Sequence, residues 1–365
     1  MTANAPDISV IICAYNRRER VLRAYQALLR QDTPADRFEI IVVDNNSSDG
    51  TVEAVQALAV QSPVAIRCLL ETRPGKALAM NTGIAAARAA IIAFTDDDCE
   101  PRPGWLRAIL AHFQEPGVGV LAGPVPSHFA DGVEADPERR FLARKFLGDY
   151  SLGDQKRDLR GRESPLGCNM AARAQALREV GGVSALLGPA GNRWGDHEDS
   201  DLAWRIGDAG YRVVYDPAVI VDHYPDAERL SRAVIRSRAF AVGRCGYIAR
   251  QRLPISAWRK CIRTLAFSAE LAPKALRWLL CAPSGRRRFV AEFRLRCALG
   301  KLAAVWAPRR AEVIDASRAS VPASRAFVAP ASQGEVGSPA RPRVKPRPNG
   351  APRNSVTEDR SCPKR

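Results

Sequence analysis

The chain has 365 residues, 46% of them hydrophobic and 26% charged, enough apolar material for one large domain with appendages and far too much for a miniprotein. The formal net charge of +16 hints at a polyanionic partner but hides a division. Residues 1–228 carry 25 Lys/Arg against 32 Asp/Glu, a net −7; residues 229–310 carry 20 against 2, a net +18; residues 311–365 carry 10 against 5, a net +5.

Ile8 to Cys13 predicts a first strand, and Val21, Tyr25, Leu28 and Leu29 recur at helical spacing after it. Glu39 to Val43 reads as a second strand, followed by a helix capped near Asp49 and running to about Val60. Val64 to Leu70, Ile91 to Thr95 and Val118 to Ala122 continue the strand series, with an Ala-rich helix over 76–89 and another over 104–113. This alternation predicts an α/β fold with a mainly parallel sheet covered on both faces. Ser127 to Ser164 is polar and irregular and is expected to form a mobile loop or small insertion over the site. From Gly167 come a short strand, a helix ended by Gly181-Gly182, the acidic stretch Trp194 to Asp201, a helix through Ala209 and a strand over 211–215. Residues 229–310 read as a basic helical region, and the Ala/Ser/Pro/Arg-rich residues 311–365 as a disordered tail.

Nine cysteines are scattered, odd in number and never in a Cys-x-x-Cys pair, which suggests a reducing compartment and no zinc site. Cys13 and Cys68 fall in apolar strand patterns and read as packing. The first seven residues have no cationic start, and charge interrupts the apolar stretches of the C-terminal third well short of the ~20 residues a spanning helix needs. The expectation is a cytoplasmic protein with peripheral contact on the inner face of a membrane.

Two acidic groups stand out. Asp96-Asp97-Asp98 ends the fourth predicted strand, and Glu198-Asp199-Ser200-Asp201 opens a helix. Adjacent carboxylates repel one another, so a cluster at a strand end calls for a cation or a proton, and loops after parallel strands are where α/β folds hold ligands. The first βα turn, Ala14-Tyr15-Asn16-Arg17, lacks the Gly-x-Gly-x-x-Gly of a dinucleotide site.

Five stretches taken together resemble the family 2 glycosyltransferases, whose nucleotide-sugar domain is the GT-A fold. They are Val10 to Asn16, Ile41 to Thr51, Gly75 to Asn81, Phe94 to Asp98 and Glu198 to Arg205, and their order matches that family over about residues 8–225. The resemblance implies a catalytic domain over 1–228 and an inverting, metal-dependent transfer from a nucleotide diphosphate sugar, with a UDP-sugar as the expected donor. The acceptor would be a saccharide or a lipid-linked saccharide, in cell-surface or exopolysaccharide biosynthesis. Asp44 would hold the base, since a uracil imide NH needs a fixed acceptor, with Tyr15 and Asn16 lining the same pocket. Many relatives carry a second Asp where this chain has Asn45, so the base contact could fall to either position. Asp96 would hold the donor ribose or sugar beside Asp97, and Asp98 would ligate Mg²⁺ or Mn²⁺, with His223 a second candidate ligand. Asp199 would be the general base, with Glu198 and Asp201 as chemical rivals. Asn169 and Trp194 would line the acceptor side with Glu198. Apart from the resemblance, Arg73 and Lys76 flank the start of a helix whose N-terminus can face phosphate, and are candidate diphosphate contacts. Solvated surface charge is the competing reading for both. A nucleotidyltransferase would need a Gly-rich first loop, which this chain lacks; a nucleic-acid-binding protein would draw on residues 229–310.

Overall fold

The apolar run of β1 (Ile8–Ala14) lies between two other parallel strands, which is why it shows no polar alternation. A computed structural model describes residues 5–307 except 134, 148, 162, 192, 252–254 and 284, so the expected disordered tail over 311–365 lies outside the described residues. β2 (Phe38–Asp44) and β4 (Ile91–Asp96) flank β1 in parallel, and β3 (Ala65–Leu70) extends that half beyond β2. The register sets Ala14 against Asp44 and Cys13 against Asp96, so the C-terminal ends of three strands finish level.

Beyond β4 the sheet turns mixed. β6 (Val118–Ala122) and β4 both pair antiparallel to β8 (Met170–Arg173); β9 (Arg212–Tyr215) runs parallel to β6, and the two-residue β7 (Arg157–Asp158) closes that edge. The full order is β3-β2-β1-β4-β8-β6-β9-β7, with β5 (Cys99–Pro101) and β10 (Val221–His223) as a separate antiparallel ribbon. Three-residue strands carry no readable period, so that ribbon is invisible in the sequence. It is consequential, because it sets His223 opposite Cys99 and hence beside Asp98.

Helices α1 (Arg18–Leu29), α2 (Thr51–Gln61) and α4 (Trp105–His112) cover one face through residues such as Tyr25, Val55 and Leu106. On the other face lie α3 (Lys76–Ala86), α6 (Ala174–Glu179) and α7 (Glu198–Asp208), where Met80, Leu177 and Leu202 meet Ile11, Ile41 and Val43. Gly83 lets α3 lie close, since a Cβ there would come within 2.8 Å of the Ile11 side chain. α3 ends three residues earlier than its Ala-rich pattern predicts. The amides that would prolong it are captured, Arg88 N by Glu39 Oε1 at 3.0 Å and Ala89 N by Ser9 Oγ at 3.1 Å.

The middle of the segment expected to be a loop over the site is instead helical and docked elsewhere, while Ser127 and Ser164 at its ends meet His223 and Ser200. It contains α5 (Pro137–Phe146), capped by Asp136, which accepts from the amides of Glu138 and Arg139. Phe146 packs edge-on against Phe289 at 5.7 Å, in the last of three long helices, α8 (Arg232–Arg250), α9 (Ala257–Leu280) and α10 (Arg286–Ala304). α8 and α10 cross at backbone contact. A Cβ on Gly243 would fall 1.8 Å from the Cys297 carbonyl oxygen, and one on Gly300 would fall 2.0 Å from that of Phe240.

Candidate active site

The level strand ends open into a cleft of about 790 Å³. Tyr15 and Arg17 after β1, Asn45 after β2, Lys76 at the start of α3, Asp96 at the end of β4, and Asp97 and Asp98 after it line one side. Trp194, Asp196, Glu198 and Asp199, leading into α7, with Asp226, Arg229 and Arg238 from the approach to α8 and α8 itself, line the other. The two acidic groups, about a hundred residues apart in sequence, therefore face one space.

Lys76 balances that space. Its ammonium lies 2.8 and 2.9 Å from the two Asp96 oxygens and 3.9 Å from Glu198 Oε1. Burial disfavours the Lys76 charge, yet Asp96 and Glu198 outweigh it and hold its pKa above the ordinary lysine value. Asp97 has no such ion pair among the described residues. Burial, and the charges of Asp98 and Asp96, push it up to about 7, and Arg17 and Arg229 only restrain it.

Asp98 is 6% exposed, and its Oδ2 has no hydrogen-bond partner among the described residues. Around that oxygen stand Arg229 Nη1 at 3.3 Å, His223 Nε2 at 3.7 Å and Arg20 Nη1 at 3.9 Å. Burial opposes ionisation of Asp98, but His223, Arg229 and Arg20 hold its pKa below the usual carboxylate range. Ligand atoms of Asp98, Cys99 and His223 all lie within 4.8 Å of one another. Cys99 is a poor member of that set, because burial, and next Cys168, push its thiol pKa upward and keep the proton on. An orphaned carboxylate oxygen beside an imidazole nitrogen fits a hard divalent cation that keeps open positions for phosphate oxygens and water.

Asp199 is oriented by its neighbours. Its Oδ2 accepts from Gly167 N at 2.8 Å and its Oδ1 from Ser200 N at 2.6 Å. Burial raises the Asp199 pKa and Asp196 adds to this, while the two amide bonds restrain the rise. Glu198, against Lys76, is pushed up to about 7 by burial and then by the Asp199 charge. Asp201 is fully buried in an ion pair with Arg205 Nε at 2.7 Å, which removes it as a rival base. Trp194 is 39% exposed on the cleft wall, with the Arg238 guanidinium over its ring at 5.6 Å. His197, at φ 66° before α7, lies 3.1 Å from Asp196 and abuts Gly246 of α8, so it wedges two helices together.

Besides His223, four of the residues expected in the site stand outside the cleft lining, and a fifth is central for another reason. The Asn169 amide is fully used, accepting from Trp105 Nε1 and donating to the carbonyls of Pro124 and Val219. Arg73 turns to Glu71, with its Nε and Nη2 at 2.9 and 2.8 Å from the carboxylate. Asn16, at φ 53°, accepts from Ser48 N and donates its own amide to Ser47 Oγ, tying the first βα turn to the second. Asp44 lies at the end of β2, fully buried, with Oδ2 accepting from Ser47 N and Oδ1 unpartnered. Asn45 is the fifth. It donates to the carbonyls of Glu71 and Arg73, each at 2.7 Å, and accepts from Gly75 N at 2.8 Å, clamping the loop that delivers Lys76. An aspartate could make the last bond but neither of the first two.

Sequence reading missed Arg17, Arg229 and Arg238 as cleft residues. Arg17 was in view within the first βα turn, but nothing in the spacing of Arg229 or Arg238 signals a return to the strand ends. Cys13 also lines the cleft, where burial raises its thiol to about 12 and leaves it inert; Cys68 is raised alike.

The sequence profile described as "Glycosyl transferase family 2" matches residues 9–181, which takes in the turns carrying Tyr15, Asn45, Lys76 and the three aspartates. The chain is 28% identical over 225 residues to the glycosyltransferase AglE of Haloferax volcanii, covering 61% of this chain and 68% of that protein. Over residues 9–181, just under half of the chain, it is similar to the family 2 glycosyltransferases. A second relative, the pre-mycofactocin glycosyltransferase of Mycobacterium tuberculosis, is 30% identical over 254 residues. That match covers 65% of this chain and 46% of the relative, so the chain spans about half of the latter's length. A similar solved structure is the Pyrobaculum calidifontis mannosyltransferase PcManGT, in complex with GDP-Man and Mn²⁺. Its TM-score is 0.55 at 20% identity over 83% of this chain and 88% of that one, and the shared architecture is the GT-A fold.

Proposed function

We propose that this chain is a family 2 glycosyltransferase that transfers a sugar with inversion from a nucleotide diphosphate sugar to a hydroxyl of a saccharide or lipid-linked acceptor. The observation that carries the reading is the single cleft in which Lys76, the three aspartates at and just after the end of β4 and the Glu198-Asp199 pair face one another. Lys76 faces the donor diphosphate, exchanging part of its contact with Asp96 for phosphate oxygens as Asp96 turns to the donor sugar or ribose. Tyr15, 59% exposed, lines the rim where the base would lie, and the buried Asp44 Oδ1, without a hydrogen-bond partner among the described residues, would accept a uracil imide NH only once the turn above it opens. Asp98 and His223 would hold Mg²⁺ or Mn²⁺, which supplies positive charge to the departing diphosphate. The GT-A relative crystallised with Mn²⁺ supports that expectation.

Asp199 takes the proton from the acceptor hydroxyl while that oxygen attacks the anomeric carbon. The bond from this carbon to the diphosphate oxygen breaks as the new one forms on the opposite face, and the nucleoside diphosphate leaves. A raised pKa suits Asp199 to this, since a base nearer neutrality takes a proton more readily. Trp194 offers a platform for the acceptor ring. We assign the reaction to cell-surface or exopolysaccharide synthesis at the cytoplasmic face of a membrane, a placement supported by the free cysteines and the basic C-terminal helices. No helix among the described residues is long and apolar enough to cross a membrane.

The test is a thermal-shift panel of nucleotide sugars with and without Mn²⁺. A ligand held at a hundred times its Kd stabilises by about 2.7 kcal/mol, so a UDP-sugar that shifts the melt only with metal supports the reading. A panel without any metal-dependent shift overturns it.

A further inference from the structure

Helix α9 is turned the wrong way round for a surface helix. It is 24 residues long with none buried. Trp258, Ile262, Leu265, Leu276, Leu279 and Leu280 are between 47% and 77% exposed. At about 100° per residue, these six fall within one arc of about 100°. The charged side faces the protein instead: Arg263 donates to the Tyr247 hydroxyl at 2.8 Å, Glu270 meets Lys301 at 3.2 Å, and Lys260 lies over Trp306 at 5.3 Å. A surface helix ordinarily does the reverse, and a continuous exposed apolar face marks a contact surface.

We propose that α9 lies flat in the interface of a lipid bilayer carrying anionic headgroups, with this face among the acyl chains. Charge selects the occupant. Arg259 and Arg277 are five helical turns apart and so point the same way, at one edge of the apolar arc. Both are exposed and have no side-chain partner among the described residues. Arginines at that height meet headgroup phosphates when the apolar residues enter the bilayer. Residues 229–310 hold only 2 acidic side chains to oppose them. The one acid on that side, Glu270, is already taken by Lys274 and Lys301, so two copies of the chain meeting here would bring arginines from both to one seam without an acid to pair them. On the neighbouring helices Arg232, Arg236 and Arg286 are spent on Glu138 and Glu292.

The proposal rests on the membrane-facing part of the functional reading, not on its chemistry. The full chain is floated with vesicles of phosphatidylcholine, or of phosphatidylcholine and phosphatidylglycerol in equal parts, across a salt series, and UDP binding with Mn²⁺ is measured on the same samples. The wild type should float with the anionic vesicles. The double variant Leu265→Glu, Leu276→Glu should bind them at least about tenfold more weakly at every salt concentration, with an unchanged melt because both sites are exposed. Arg259→Gln with Arg277→Gln should lose most of the anionic preference, about tenfold for two cations near the surface. Equal flotation of wild type and the Leu265→Glu, Leu276→Glu variant overturns the proposal, as does a wild type that binds neither vesicle. A lipid-free dimer that the same variant converts to monomer also overturns it, by giving the face to a second copy. UDP binding kept in a chain that fails to float sinks the docking alone; flotation without nucleotide binding sinks the glycosyl-transfer reading and leaves the docking standing.

Discussion

The Lys76 ammonium sits between the two carboxylate oxygens of Asp96, at 2.8 and 2.9 Å. Lys76→Met should therefore leave Asp96 and Glu198 without their counter-cation and weaken nucleotide diphosphate binding by about tenfold or more. Calorimetry with Mn²⁺ checks this, and Arg73→Met, whose guanidinium is on Glu71, should stay within about threefold of wild type. The reverse order would move the diphosphate contact to Arg73.

Asp98→Asn should abolish the metal dependence of donor binding while the fold persists, since the amide matches the carboxylate in size and one Asp98 oxygen has no hydrogen bond to lose. Binding of UDP titrated with Mn²⁺ is the measurement. A metal response that survives in the variant contradicts the assignment of Asp98 as ligand.

Asp199→Asn should keep nucleotide affinity and lower kcat by ~10²-fold or more. Glu198→Gln should do something different. Its carboxyl, raised to about 7, binds a proton more tightly in the folded chain than in the unfolded one, so the wild type loses stability as pH rises from about 4.5 to about 7. The glutamine removes that loss, so Glu198→Gln should melt higher than wild type above pH 7 and flatten the melt-versus-pH curve. If kcat falls by ~10²-fold in Glu198→Gln and not in Asp199→Asn, the base is Glu198.

The Glu71-Arg73 pair has the opposite sign. Arg73, and then Thr82, hold the Glu71 carboxyl down to about 2 against its burial, so its contribution is complete above about pH 4.5 and disappears as pH falls toward 2. Arg73 is 38% exposed, and solvent screening reduces the worth of the pair to about 1 kcal/mol. Arg73→Met should be destabilised by that amount at neutral pH, with the gap closing under acid. A gap constant with pH points to lost packing.

Asn45→Asp sets a carboxylate against two carbonyl oxygens at 2.7 Å and should cost about 2 kcal/mol, with weaker donor binding as the loop before Lys76 shifts. Donor affinity equal to wild type would show that the clamp does not position Lys76.

Much of this was legible because it is local. Strands β1, β2 and β4 announce themselves as apolar runs, and Asp96 to Asp98 and Glu198-Asp199 as acids at element ends. What could not be read depends on contacts distant in sequence. His223 reaches Asp98 through a three-residue ribbon, and the Asn45 amide matters only because β3 returns its loop beneath it. The resemblance put Asn169 on the acceptor side, but its side chain points into the core. In α9 the sequence shows an apolar stripe, but periodicity does not say which way a stripe faces.

The change of charge at residue 228 is a seam that is stitched shut. Asp226 pairs with Arg17 and Arg20, Arg229 approaches Asp98, and Arg232 and Arg286 hold Glu138. Acid before residue 228 meets arginine after it at each of the last three. A fragment ending at residue 228 would therefore be acidic and stripped of the guanidinium beside its own Asp98, and the helical remainder strongly basic. Two such pieces attract, which makes this junction a natural place to build a split enzyme whose halves find each other at low salt and part at high salt.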